Sequence, residues 1–216
     1  MEGRQFEVLN FETKSNLEQR NLSNTITYTI GHSNHSAEQF IALLKKYSVT
    51  VVADVRSAPY SKYTPQFNKE TVCGTLSQVA IRYVFLGREL GARPDDPTCY
   101  DMEGKVVYER IIRRPDFAVG IESLIQLSID QQVAIMCSEK EPLNCHRTIL
   151  ISRYLHERGL MIQHILTDRR TVNHSELEAQ MTKPEGDTID LFMSPEEKAY
   201  LRRGQKIAYK KSIPRG

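Results

Sequence analysis

Side chains able to do chemistry recur in short polar segments, each following an apolar run. They are Gly31-His32-Ser33-Asn34; Asp54-Val55-Arg56-Ser57, with Ser61 a little further on; and Cys137-Ser138-Glu139, which leads after a short loop to Cys145-His146-Arg147. Imidazoles and carboxylates suit proton transfer, a thiol suits nucleophilic attack or metal ligation, and guanidinium forks bind phosphate or carboxylate through paired hydrogen bonds. By residue type the candidate catalytic groups are His32, Asp54, Glu139, Cys145 and His146, and the candidate groups for binding an anionic substrate are Ser33, Arg56, Ser57, Ser61 and Arg147. Cys145 stands where the chain should enter a helix, and the free N–H groups of a helix start favour an anion there. A thiolate nucleophile or metal ligand is one reading of that residue, and a small buried packing residue is the other. Cys137, which closes an apolar run, reads first as core. A mixed His, Asp, Glu and Cys set can also hold a divalent metal, although no close His-x-x-x-His or CxxC spacing marks one. The plainer alternatives are internal pairs of Arg56 and Arg147 with Asp54 or Glu139 that fix loops, and a structural His32.

For these groups to meet, the apolar runs before them must end side by side. Thr27–Ile30, Thr50–Val55, Arg82–Leu86, Val133–Cys137 and Met161–Leu166 read as strands, and the β-branched run Thr50–Val55 has the composition of a strand buried on both faces. Between them helices are expected over Ser36–Tyr47, with Ser36 and Gln39 as a capping box, over Asn68–Val79, over Asp116–Ser128, and over Cys145–Arg158, ended by Gly159. Strands alternating with helices of this length need right-handed crossovers and give an α/β, doubly wound fold. Its sheet is parallel or mostly parallel, with helices on both faces. Ligands bind such sheets beyond the carboxyl ends of the strands, where every polar segment falls.

This domain is expected over residues 25–167, between an irregular polar arm at 1–24 and a C-terminal extension at 168–216 that carries a short helix at Pro195–Arg203 after Ser194. The stretch from Gly87 to Arg114 is long for a connection and reads as a functional loop or lid. Tyr60, Tyr63 and Phe67 either line a base-binding pocket or pack beneath their loop.

A net charge of +2 over 216 residues makes no general demand for nucleic acid or an anionic membrane. Charge gathers only at the end, where Lys198, Arg202, Arg203, Lys206, Lys210, Lys211 and Arg215 follow without an acid, interleaved with Tyr200 and Tyr209. Such a tail is either a solvated end or a contact to a nucleic-acid backbone. The four cysteines form no close pair and no signal peptide is seen, so a reducing cytoplasm with free thiols is expected. No run approaches the roughly 20 apolar residues that cross a bilayer, so no membrane partner is expected.

Taken together, the Gly31-His32-Ser33-Asn34 turn, the segment Asp54-Val55-Arg56-Ser57-Ala58-Pro59-Tyr60-Ser61, Pro65-Gln66-Phe67-Asn68-Lys69, and Met136-Cys137-Ser138-Glu139 through Cys145-His146-Arg147 resemble the bacterial and archaeal domain-of-unknown-function family 488 (DUF488). The resemblance spans about residues 26 to 166, and four separated motifs in order make it specific. Leu86-Gly87 and Leu90-Gly91 resemble that family's Leu-Gly-rich segment. The resemblance implies the α/β architecture and a shared polar site, and no reaction. The residues themselves favour an enzyme acting on a phosphate-bearing substrate, a nucleotide or nucleic acid. A non-catalytic nucleotide or nucleic-acid binding module would need the arginines but not the thiol, imidazoles and carboxylates. A rhodanese-like or phosphatase-like thiol enzyme is a third reading, opposed by the single residue between Cys145 and Arg147, too short a span to wrap a phosphate.

Overall fold

In the computed structural model, residues 25–182 and 193–211 are described. The expected polar arm at 1–24 and Arg215 of the tail lie outside the described residues. Five strands, β1 (Ile26–Gly31), β2 (Val51–Asp54), β3 (Arg82–Phe85), β4 (Val133–Cys137) and β5 (Met161–Ile165), run parallel, and β6 (Thr171–Asn173) joins β5 antiparallel. The sheet order is β3-β2-β4-β1-β5-β6.

Side-chain alternation along the strands divides the interior into two cores. Val133, Ile135 and Cys137 of β4 join Val51 and Ala53 of β2 on one face, while Ala134 and Met136 join Val52 and Ile30 on the other. The first face is covered by the helix Pro115–Asp130, through Phe117, Ile121 and Leu124, and by the segment from Ile149 to Leu155. The second is covered by α1 (Ala37–Lys46) and α2 (Lys69–Ser77), through Phe40, Leu44, Val72 and Leu76. Each such side chain stabilises the fold by roughly 1.5–3 kcal/mol relative to exposure. The α/β fold with helices on both faces is therefore the observed architecture, and α1 begins with the expected capping box of Ser36 and Gln39.

Strand β4 lies between β1 and β2, and the chain leaves β2 toward β3 but leaves β4 toward β5. A crevice opens where those departures diverge. Pairing continues past the strand ends, since His32 N donates to Cys137 O (2.8 Å), Ser33 N to Ser138 O (3.0 Å) and Val55 N to Met136 O (3.1 Å). The loops after β1 and β2 are thus pinned to the end of β4. Gly31 permits the closest of these approaches: a Cβ there would lie 1.9 Å from the carbonyl oxygen of Glu139.

Three regions differ from the sequence expectation. Cys145 is extended (φ −134°), and the expected helix begins beyond it as a wide π-helical segment, Arg147–Ser152, running into Arg153–His156. Ser152 Oγ donates to Arg147 O (2.7 Å) inside those wide turns, and Gly159 (φ +92°) ends the segment in the left-handed conformation. The long connection from Gly87, expected as a functional loop or lid, contains ordered local structure, and its Ala92 and Arg93 line the strand-end cavity. It holds helical turns at Gly87–Leu90, Pro97–Cys99 and Tyr108–Ile111 and a bridge between Tyr100 and Val106. Beyond Asp168 the sheet continues into β6 and a helix, His174–Met181, elements too short to show a period in sequence. The C-terminal helix Pro195–Ile207 starts at the Ser194 cap and outruns its expected end. No helix among the described residues is long and apolar enough to cross a membrane.

Candidate functional site

At the end of β2, Asp54 and Arg56 form one rigid unit. Arg56 donates from Nε to Asp54 Oδ1 (2.9 Å) and from Nη2 to Asp54 Oδ2 (2.6 Å), and its backbone N–H also reaches Oδ1 (3.0 Å). Tyr83 Oη donates to Asp54 Oδ2 (2.7 Å), so the fully buried carboxylate is saturated. Burial, with Asp54 beside it, pushes the Tyr83 hydroxyl well above the usual tyrosine range. Arg56 also donates from Nη2 to Phe67 O (2.8 Å) and from Nη1 to His32 Nε2 (3.0 Å). A guanidinium has five N–H groups. These contacts engage four of them, leaving one on Nη1.

His32 has a defined tautomer. Its Nδ1 faces Ser33 O (2.9 Å), which can only accept, so Nδ1 carries the proton and Nε2 offers Arg56 a lone pair. Burial and the Arg56 charge lower its pKa to about 4. The ring stacks on Phe67 with centroids 4.3 Å apart, and Phe67 in turn meets Phe40 edge-on. His32 is therefore a neutral support for Arg56.

At the end of β4, four potential ligand groups converge. Cys137 Sγ and Cys145 Sγ both donate to Glu139 Oε2, at 2.8 and 3.0 Å. His146 Nδ1 lies 3.6 Å from Cys137 Sγ and 3.9 Å from Cys145 Sγ. One ligand atom from each of Cys137, Glu139, Cys145 and His146 lies within 4.8 Å of all the others. His146 Nε2 must donate to Val55 O (3.1 Å), so in the neutral ring the Nδ1 lone pair points at the thiols. Burial pushes the Cys137 thiol well up. Glu139 is exposed at the cavity, and although partial desolvation would raise its carboxyl, hydrogen bonds from both thiols and the charge of His146 outweigh that and hold the pKa at about 2. Burial opposes charging His146, and Cys137 and Glu139 reverse that, leaving its pKa raised.

These two units face a cavity of about 280 Å³, lined by His32, Arg56, Cys137, Glu139 and His146 together with Ser57, Ser61, Tyr60 and Arg93. Of the residues singled out in the sequence, Asp54 and Cys145 do not line the cavity: Asp54 holds Arg56, and the buried Cys145 donates to Glu139. Ser57 and Ser61 reach the cavity while accepting backbone N–H groups of Arg93 and of Tyr63 and Thr64. Ser33 turns its hydroxyl to Asn34 Oδ1 (3.2 Å). Arg147 departs from the anion-binding role expected of it. It is fully buried, donating to Glu139 O (2.6 Å), Lys140 O (3.3 Å) and Thr29 Oγ1 (3.4 Å), and so shapes the loop that carries Glu139. Phe67 packs beneath its loop, whereas Tyr60 and Tyr63 are exposed.

Cys137, which reads first as core, and Arg93, which carries no sequence signal, also line the cavity. The signal for Cys137 was present, since Cys137-x-Glu139 with Cys145-His146 after a Pro-containing turn is a ligand set split across one loop. Arg93 had none, because its place depends on how a long connection folds. The expected basic tail is largely folded onto the body: Arg203 holds Leu143 O and Asn144 Oδ1, Lys210 pairs with Glu103, and Lys211 covers the Tyr100 ring.

A family model described as "Domain of unknown function DUF488" matches residues 36–155, more than half of the chain. No curated protein and no solved structure matches it.

Proposed function

The chain belongs to the DUF488 family, domains of unknown function, and from that premise and the geometry of the cavity we propose an enzyme acting on a phosphate-bearing substrate, a nucleotide or nucleic acid. The proposed site holds a divalent transition metal through Cys137, Cys145 and His146. The observation that carries this reading is the convergence of the two sulfurs, Nδ1 and Oε2 within 4.8 Å beside the one uncommitted N–H of Arg56. Zinc binds sulfur at about 2.3 Å and imidazole nitrogen at about 2.0–2.1 Å, so tetrahedral neighbours stand roughly 3.5 Å apart. The sulfur–Nδ1 separations of 3.6 and 3.9 Å approach that value. Thiolate and imidazole select zinc-like ions over magnesium or calcium. When bound, such an ion supplies Lewis acidity and an activated water.

With Cys137 and Cys145 held as thiolates by such an ion, Glu139 Oε2 would no longer receive their protons and, lining the cavity, would be free to accept a proton from an entering nucleophile. Arg56 supplies a fixed positive edge for a phosphate oxygen, with Asp54 and His32 preventing its rotation.

Zinc content by atomic emission and hydrolysis of bis-p-nitrophenyl phosphate test the reading together. One equivalent of zinc in the purified protein is expected, falling to a trace in Cys137→Ser and Cys145→Ser, with turnover lost on chelation and restored by zinc. Protein that binds no metal and hydrolyses the ester equally well with chelator present would sink the metal site. The thiol enzyme is the second reading, favoured by a Cys137 thiol that both lines the cavity and donates to a carboxylate. It replaces the first if metal-free protein is active and Cys137→Ser alone abolishes turnover. Tight nucleotide binding without any turnover would leave a binding module.

A further inference from the structure

A second arginine, Arg93, lines the cavity, and Tyr209, from a segment outside the family match, packs against it. Residues 91–93 are pressed onto the β2 loop. Arg93 N donates to Ser57 Oγ (2.9 Å), and a Cβ on Gly91 would lie 2.3 Å from that same oxygen. The side chain of Arg93 lies over the ring of Tyr209, with Cζ 4.3 Å from the centroid. No carboxylate among the described residues pairs with it. Stacking occupies the face of a guanidinium and leaves its N–H edge open, so a stacked arginine keeps its donors for an anion.

Tyr209 is itself well anchored. Its carbonyl accepts from Val106 N (2.9 Å), Lys210 bridges to Lys105, and Lys211 N donates to Gly104 O (2.9 Å). Upstream, Arg203 donates to Leu143 O (2.7 Å) and Asn144 Oδ1 (2.6 Å), in the turn just before Cys145. The C-terminal segment thus braces the cavity from two sides, although the family match ends at residue 155.

We propose that Arg93 is the second anion-binding guanidinium of the cavity and that Tyr209 is its positioning residue. This rests on reading the cavity as a phosphate site. The roles assigned from sequence to Arg56 and Arg147 then fall to Arg56 and Arg93, and the end of the chain becomes part of the site.

Pyrophosphate binding by calorimetry, in wild type and in Arg56→Ala, Arg93→Ala, Tyr209→Ala, Tyr209→Phe and Arg93→Ala/Tyr209→Ala, tests it. The Arg93 Nε–H signal in 15N NMR spectra of the free proteins provides a readout that needs no ligand. Arg93→Ala should weaken binding about tenfold and Tyr209→Ala about threefold, from the strengths of charge-assisted hydrogen bonds and cation–π contacts. Tyr209→Phe, which keeps the ring, should bind as wild type, and the double variant should be no weaker than Arg93→Ala. The Nε–H signal should shift in Tyr209→Ala and stay in Tyr209→Phe. Unchanged affinity in Arg93→Ala, with binding lost in Arg56→Ala, would overturn the role of Arg93 and leave the phosphate site standing. Unchanged affinity and signal in Tyr209→Ala would overturn the positioning role. Wild type that fails to bind pyrophosphate would overturn both the phosphate reading and this inference.

Discussion

Besides His32, the buried histidines are His146 at the end of β4 and the pair His164 and His174 beneath the helices His174–Met181 and Pro195–Ile207, and these two places are bonded differently. In the second, Thr29 Oγ1 meets His164 Nδ1 (2.8 Å), His164 Nε2 meets His174 Nδ1 (3.0 Å), and His174 Nε2 meets Tyr200 Oη (2.9 Å). Every ring nitrogen of this pair is used, and neither ring lines the strand-end cavity. Burial holds His174 at about pKa 3 and His164 well below its ordinary value, so both stay neutral. His146 has one nitrogen fixed by Val55 O and the other aimed at two thiols and a carboxylate, beside a cavity. A closed chain of neutral donors and acceptors joins elements together. A cluster with several groups able to become anionic, their ligand atoms within 4.8 Å of one another, could hold a cation. The residue types are alike, and the difference lies in which valences remain.

The comparison can be broken most severely at Gly31, because only the strand-end site depends on that close approach. Gly31→Ala forces the Glu139 carbonyl aside and should cost about 3 kcal/mol of stability in thermal or urea denaturation, with zinc binding lost. A variant as stable as wild type would show that the loop yields easily. Next, His174→Ala leaves His164 and Tyr200 without their partner and should cost about 2 kcal/mol, with zinc retention unchanged. Cys145→Ser should do the reverse, changing metal-free stability by under about 1 kcal/mol while abolishing zinc binding. The contrast collapses if the two variants exchange these effects.

The closed chain should also dominate acid sensitivity. His174 is neutral in the fold down to about pH 3, whereas in the unfolded chain it protonates below about 6.5. The unfolded state therefore binds the extra proton, and stability should be greatest above pH 6.5 and fall as the pH drops from there toward 3. Urea midpoints measured at pH 7, 5 and 4 should decline, and His174→Gln should flatten that decline. A slope unaffected by the substitution would assign the acid sensitivity elsewhere. A small effect is also expected at Tyr83→Phe, which removes one of the donors to Asp54 and should cost about 1 kcal/mol in the same urea titration.

Much of the scaffold was legible because burial leaves a periodic mark. The β-branched run Thr50–Val55 announced a strand covered on both faces, and Ser36 with Gln39 announced a helix start. Where an element is held by distant contacts, no such mark exists. Residues 171–173 form a strand only because β5 offers an edge, and the wide turns of Arg147–Ser152 follow from the loop beneath them rather than from propensity.

The sequence by itself determined which strand ends would carry polar chemistry, since a parallel sheet delivers the residues after each strand to one edge whatever their later contacts. That reading gathers His32, Asp54, Arg56 and Glu139 at one edge, with Cys145, His146 and Arg147 returning to it through the loop after β4. It could not divide reactive from supporting roles, because that depends on side-chain direction. Arg56 and Arg147 look equivalent in sequence, yet one reaches the cavity and the other is enclosed by the carbonyls of residues 139 and 140. Asp54 and Glu139 both follow strands, yet one is saturated by an arginine and a tyrosine while the other receives two thiols. Tertiary structure alone decided these, and with them the arrival of Arg93 and Tyr209, because each position is set by hydrogen-bond partners that are neighbours in space and remote in the chain.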